Sequence, residues 1–263
     1  MLTELIKWCI LSLMEKGLII DIEGTLLSSG KPLPGAIEFI NYLNKQNINY
    51  HLVTNTVSKT VEKWELILNE VGLKVNKNKI IYPLLALNDY LNVNNIKTYY
   101  FLGHENMEKI LIKTLEYNIP EYLIFCDFEN IVLDYELFNK LFQYINNGAK
   151  IITTSYSDYY ISNNKYKMDT GIFVKMYELL TNKNAIIIGK PSQIIYSITL
   201  KRMRIEANNV ISIGDDGLTD IIGGNEMGME TVMVKTGKYK NGDEEKYKPK
   251  KVINNIMEII REI

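Results

Sequence analysis

Four apolar runs in this chain end in residues able to do acid, base or phosphate chemistry. "LIID" stops at Asp21 with Glu23 two residues on, "HLVT" at Thr54, "IIIGK" at Lys190, and "VISIGDD" at Asp215 and Asp216. Taken singly each has an ordinary reading: a capping acid, a β-forming threonine, a surface lysine, a turn aspartate. Taken together they ask for more. Carboxylates crowded at the rim of a buried sheet repel one another and lose hydration, which a cation can offset. Hard oxygen donors of this kind suit Mg²⁺. A hydroxyl and a lysine facing the same ion suit a phosphate, whose charge needs hydrogen bonds and a positive partner.

In open parallel sheets ligands bind outside the carboxyl ends of the strands, so the elements must deliver all four run ends to one rim. From Gly17 onward short β-branched runs alternate with helical patterns, the pattern of a parallel sheet with crossover helices. "GLIIDI" precedes "PLPGAIEFINYLNKQ", where Ala36, Ile37, Ile40 and Leu43 recur at helical spacing, and "NYHLVTN" precedes the helix "SKTVEKWELILNEVGL". A second set of strands, "KTYYFLG", "EYLIFCDF" and "AKIITTSY", is separated by the predicted helices "ENMEKILIKTLEYN" and "DYELFNKLFQYINNG". Then "AIIIGK", "PSQIIYSITLKRM", "NVISIGDD", "LTDIIGGNEMG" and "ETVMVKTG" read as the first module resumed. The fold class is α/β: a Rossmann-like, doubly wound parallel sheet over 1–81 and 184–263, with a second α/β module over 82–183 inserted into it.

Composition narrows the function. The chain has 263 residues, 46% of them hydrophobic, enough for a large core, and 30 Lys+Arg balance 31 Asp+Glu. That balance gives no broad field toward nucleic acid or an anionic membrane. Cys9 and Cys126 lie far apart without CxxC spacing, which argues against a disulfide framework and a thiolate metal site and fits a reducing, cytoplasmic setting. The opening "MLTELIKWCILSLMEKG" reads as a short amphipathic helix, broken by Glu4 and Lys7 and too short to span a bilayer. The tail "KPKKVINNIMEIIREI" is expected to end in an amphipathic helix, and "KYKNGDEEKYKPKK" reads as a solvated surface loop.

In order and spacing, "DIEGT", "VTN", "GKP" and "GDDGLTD" resemble the four motifs of haloacid dehalogenase-like hydrolases. The insert resembles the C2-type cap of that superfamily (class IIA), and "YFLGHENM", "NNGAKIITT" and "GMETVMVKTG" are similar to its NagD-like, 4-nitrophenylphosphatase branch. The resemblance implies a Mg²⁺-dependent phosphatase of a small phosphorylated metabolite, working through an aspartyl-phosphate. It implies Asp21 as nucleophile and Glu23 as the acid and base, where the usual residue is Asp. Gly24, Thr25, Thr54, Asn55 and Lys190 are implied to hold the phosphate. Asp21, the backbone carbonyl of Glu23 and Asp215 are implied to ligate the metal, with Asp216 and Asp220 ordering metal-bound water or Lys190. The insert is expected to read the leaving group, and its loop "SYSDYYISNNKYKMDTG" offers Tyr156, Asp158, Tyr159 and Asp169 as candidates for substrate selectivity.

Rival readings meet specific obstacles. A Walker loop ending at Lys190 needs glycine at position 184, which is Asn184; an EF-hand reading of "DDGLTD" fails on its glycine position; a dinucleotide-binding module lacks G-x-G-x-x-G after the first strand. His51 and His104 are read as core or surface residues. The remaining alternative is a phosphate-binding or regulatory protein of the same fold with little turnover, because Glu23 is one methylene longer than aspartate. The natural ester and the oligomeric state, a homodimer among the options, stay open.

Overall fold

The computed structural model describes residues 16–128, 131–162 and 165–263. The N-terminal amphipathic helix expected over 1–17 falls almost wholly outside them. In chain order the strands are β1 (Gly17–Ile20), β2 (Leu27–Ser28), β3 (Lys31–Pro32), β4 (Tyr50–Val53), β5 (Ile80–Ile81), β6 (Tyr99–Leu102) and β7 (Tyr122–Phe125). They continue with β8 (Lys150–Thr153), β9 (Tyr159–Ser162), β10 (Lys165–Met168), β11 (Ile186–Ile187), β12 (Val210–Gly214), β13 (Glu230–Val234) and β14 (Lys251–Ile253). Two compact units result. Among the described residues one comprises 16–54, 59–81 and 196–263, the other 55–58 and those of 82–195.

The first unit is a six-stranded sheet in the order β14-β13-β12-β1-β4-β5, with every pair parallel. β1 and β4 are buried along their whole length, as the apolar run of β1 and the largely apolar run of β4, with His51 in it, suit strands covered on both faces. Helix Ala36–Lys45 places Ala36, Phe39, Ile40 and Leu43 against them, a 3–4 spacing that matches one buried stripe. Helix Val61–Glu70, capped by the Thr60 hydroxyl, adds Trp64 and Leu68 to the same core. The tail contributes Ile253, Ile256 and Ile259, but its last element is a 3₁₀ helix, Ile256–Arg261, opened by an Asn255–Glu258 capping box.

The second unit carries a parallel sheet in the order β11-β8-β7-β6 and an antiparallel β9-β10 hairpin. Its core gathers Leu102, Leu123, Phe125, Leu141, Ile145, Val174 and Tyr177. Three expectations are corrected here. The strand in "AIIIGK" pairs with β8 and not with the first sheet, and the Ile188 N–H continues the ladder to the Thr153 carbonyl (2.8 Å). The helix expected over "ENMEKILIKTLEYN" stops after one turn, Glu105–Glu108. Beyond it Ile112 N–H donates to Asn88 Oδ1 (2.8 Å) and Leu115 N–H to the Lys97 carbonyl (3.0 Å), so partners distant in sequence take main-chain donors a helix would have used, and the Thr114 hydroxyl accepts from the Tyr99 N–H of β6 (3.1 Å). The third correction falls within "SYSDYYISNNKYKMDTG", read as loop, where Tyr159–Ser162 and Lys165–Met168 pair as the antiparallel strands β9 and β10. No helix among the described residues is long and apolar enough to cross a membrane.

Candidate active site

The register of the first sheet determines where the acids fall. Ile20 lies beside Ile213, and the Asp21 N–H donates to the Ile213 carbonyl (2.9 Å), so Asp21 and Asp215 leave adjacent strands at one rim. Thr54 follows β4, the neighbour of β1 on the other side, and its N–H donates to the Ile81 carbonyl (3.1 Å). After Asp215 the chain makes a π turn over Gly217–Ile221 that carries Asp220 back toward the rim. There the Asp216 N–H donates to Asp220 Oδ2 (3.2 Å).

Carboxylate oxygens of Asp21, Asp215 and Asp220 lie within 4.8 Å of one another, and all three residues are buried. Glycines make this approach feasible. A Cβ at Gly214 would stand 2.1 Å from Asp220 Oδ2, while Cβ atoms at Gly24 and Gly237 would stand 2.2 Å and 2.0 Å from Asp215 Oδ2. Gly24 and Gly237 also hold φ of 102° and 53°, the left-handed region that glycine enters without strain. Asp215 is thus clasped between two glycines, with Thr25 Oγ1 donating to its Oδ1 (3.0 Å) and the Lys238 N–H to its Oδ2 (2.6 Å).

Burial, and next the charge of Asp220, push the Asp215 carboxyl up to about 6, while the Lys238 and Thr25 bonds work the other way. Three buried oxygen donors under mutual repulsion are the donor set a divalent hard cation fits. Asp21, Asp215 and Asp220 would hold it. Asp220, expected only behind the ligands, stands in the carboxylate group itself.

Asp216 turns elsewhere. Its Oδ1 accepts from the N–H groups of Leu218 (3.0 Å) and Thr219 (3.4 Å), and its Oδ2 pairs with Lys238 Nζ (2.8 Å). Although burial disfavours its charge, the Lys238 ammonium and these donors hold its carboxyl below the usual range. Glu23 has a half-exposed side chain, 3.8 Å from Lys59 Nζ, and that ammonium also sits 4.6 Å from the centroid of the buried Trp64 ring. The Thr236 hydroxyl donates to the Gly24 carbonyl (2.6 Å). The sequence reading missed Thr236 and Lys238; the available signal was the Thr-Gly pair one residue after β13, beside the same rim.

In the second unit Lys190 is buried, and Asn55 clasps its main chain: Lys190 N–H donates to Asn55 Oδ1 and Asn55 Nδ2 donates to the Lys190 carbonyl, both at 2.8 Å. The selectivity candidates are engaged within that unit. Tyr156 donates its hydroxyl to Glu178, Asp158 pairs with Lys175, Tyr159 meets Tyr166 edge-on at 5.3 Å, and Asp169 caps helix Thr170–Thr181 while accepting from Ser155 Oγ (3.1 Å). His104 caps the single-turn helix, and His51 is buried on β4.

A haloacid dehalogenase-like hydrolase model matches residues 18–114 and a second, HAD-hydrolase-like model matches 187–259, so the two span the rim acids and Lys190. The chain belongs to the haloacid dehalogenase-like hydrolases. It is 27% identical over 255 residues to the acid sugar phosphatase of Staphylococcus saprophyticus, covering 94% of this chain and 98% of that one. Its fold is that of the NagD and 4-nitrophenylphosphatase branch. A p-nitrophenyl phosphatase from Archaeoglobus fulgidus superposes with a TM-score of 0.84 at 23% identity, covering 95% of this hydrolase and 99% of the other chain. NagD from E. coli K-12 superposes with a TM-score of 0.82 at 24% identity, covering 93% and 98%.

Proposed function

We propose that this hydrolase is a Mg²⁺-dependent phosphatase of small phosphomonoesters, with Asp21 as its nucleophile. The supporting observation is the buried group of Asp21, Asp215 and Asp220 at the carboxyl ends of β1 and the β12 segment, oxygens within 4.8 Å. The phosphatase names of its relatives favour the same chemistry, and the sugar phosphatase and the nitrophenyl phosphatase favour a small ester over a macromolecular one.

In this reading an Asp21 oxygen attacks phosphorus, a P–O bond forms as the ester P–O bond breaks, and Glu23 gives its proton to the departing oxygen. Glu23 then takes a proton from water as that water displaces Asp21 from phosphorus, which releases inorganic phosphate and restores both carboxyl groups. A bound Mg²⁺ would supply the charge that lets three acids and a phosphate share one place. Thr25 and Lys238 keep Asp215 turned inward; Gly24, Thr25 and Thr54 line the same rim as phosphate-binding groups, and Asn55 and Lys190 retain the phosphate-binding role of their motifs. The second unit is read as the cap.

Hydrolysis of 4-nitrophenyl phosphate with and without Mg²⁺ tests this, together with acid-quenched peptide mapping for a phosphoryl group on Asp21. Turnover that needs Mg²⁺ and is lost in Asp21→Asn is the expected result. A binding protein with little turnover, the reading that the longer Glu23 favours, would show neither hydrolysis nor adduct.

A further inference from the structure

"GDDG" places two acids in a row after β12, yet only Asp215 and Asp220 join Asp21 in the carboxylate group. Lys238 is the residue that treats the pair differently. Its main-chain N–H holds Asp215 Oδ2 at 2.6 Å, and its side-chain Nζ holds Asp216 Oδ2 at 2.8 Å. The other Asp216 oxygen is occupied by the N–H groups of the π turn. The Asp216 side chain is only 18% exposed, so an unpaired negative charge there would stand beside Asp215 with little water to screen it.

We propose that Lys238 is a positioning residue: it turns Asp215 into the carboxylate group, holds Asp216 out of it, and cancels the Asp216 charge, so that an incoming phosphate meets three acids and not four. This rests on the phosphatase reading above and assigns a role to a loop whose sequence reads as mere solvated surface. Lys238 itself is 64% exposed, so its side chain acts by its charge and not by packing. Removing that charge leaves the N–H bond to Asp215 in place.

The test is calorimetric, with Mg²⁺ alone and with inorganic phosphate in the presence of Mg²⁺, on the whole protein. Lys238→Met should weaken phosphate binding by about fivefold, a modest loss fitting an exposed, screened charge. Mg²⁺ alone should bind at least as tightly, since one positive charge has left its surroundings. Lys238→Arg should match the wild type. Asp216→Asn in the Lys238→Met background should restore phosphate affinity, because asparagine still accepts from Leu218 and Thr219 but carries no charge.

Unchanged phosphate affinity in Lys238→Met overturns the inference. So does a parallel loss of Mg²⁺ and phosphate binding that Asp216→Asn does not repair, which would mark a structural role. A wild-type protein that binds neither probe overturns the phosphatase reading first, and this one with it.

Discussion

Gly24 and Gly30 are a matched pair for asking whether the clasp around Asp215 matters to the site. Both hold left-handed backbone, φ 102° and 74°, so alanine at either costs about 1 to 2 kcal/mol of strain. They differ in what the new Cβ meets. At Gly30 nothing lies within 4 Å, whereas at Gly24 the Cβ would stand 2.2 Å from Asp215 Oδ2 and 2.5 Å from its Cγ. Asp215 cannot retreat freely, because Gly237 closes the other side and the Thr25 and Lys238 bonds fix both its oxygens. Restoring ordinary contact moves the carboxylate by roughly 1 Å, more than the near-ideal octahedral geometry of Mg²⁺ tolerates.

Losing one ligand in this way should weaken Mg²⁺ binding at least ~100-fold, or about 2.7 kcal/mol. Gly30→Ala should lose only a few degrees in melting temperature and bind Mg²⁺ as the wild type does. Melting with and without saturating Mg²⁺, backed by calorimetric titration, reads both effects. If Gly24→Ala binds Mg²⁺ within about threefold of Gly30→Ala, the clasp has no part in metal binding and the reasoning fails.

Two further outcomes follow from the same geometry. His51 is buried on β4, and burial, then the charges of Lys79 and Arg202, hold its imidazole at about 4 against an ordinary 6.5. The unfolded chain takes up a proton between those values that the folded chain does not, so stability should fall by up to about 3 kcal/mol as pH drops from about 6.5 to about 4, with no change above. Denaturant melts of His51→Gln should lack that slope; an identical slope would assign it to other groups. Asn55→Ala removes both 2.8 Å bonds to the Lys190 main chain. At roughly 1 kcal/mol for each bond it should lower kcat/KM about tenfold or more, and steady-state kinetics showing wild-type values would separate Asn55 from phosphate binding.

Much of the fold was legible because buried parallel strands read as largely apolar runs, and "GLII", "YHLV" and "VISIG" do, interrupted only by His51 and Ser212. Their ends marked the rim, since a charged residue cannot continue a strand covered on both faces; that Asp21 and Asp215 leave neighbouring strands at one rim was therefore visible. Less legible was anything decided by partners distant in sequence. An apolar run does not say which of two sheets it joins, and Ile186–Ile187 joined the second. Ile112 and Leu115 donated their N–H groups to Asn88 Oδ1 and the Lys97 carbonyl, which ended a helix that local periodicity would have continued. Asp220 entered the carboxylate group only through the π turn, and Lys238 reached Asp215 and Asp216 from a stretch whose composition is that of plain surface. Such contacts follow from backbone path and register, which spacing alone does not encode.

The central claim is that Asp21, Asp215 and Asp220 together hold one divalent cation. Calorimetric titration of Mg²⁺ into the wild type and into Asp215→Asn tests it most directly, with circular dichroism to verify that the variant is folded. One binding event per chain in the wild type, lost or weakened at least ~100-fold in folded Asp215→Asn, is the predicted result. Equal Mg²⁺ affinity in the two proteins, or none in either, would contradict the account.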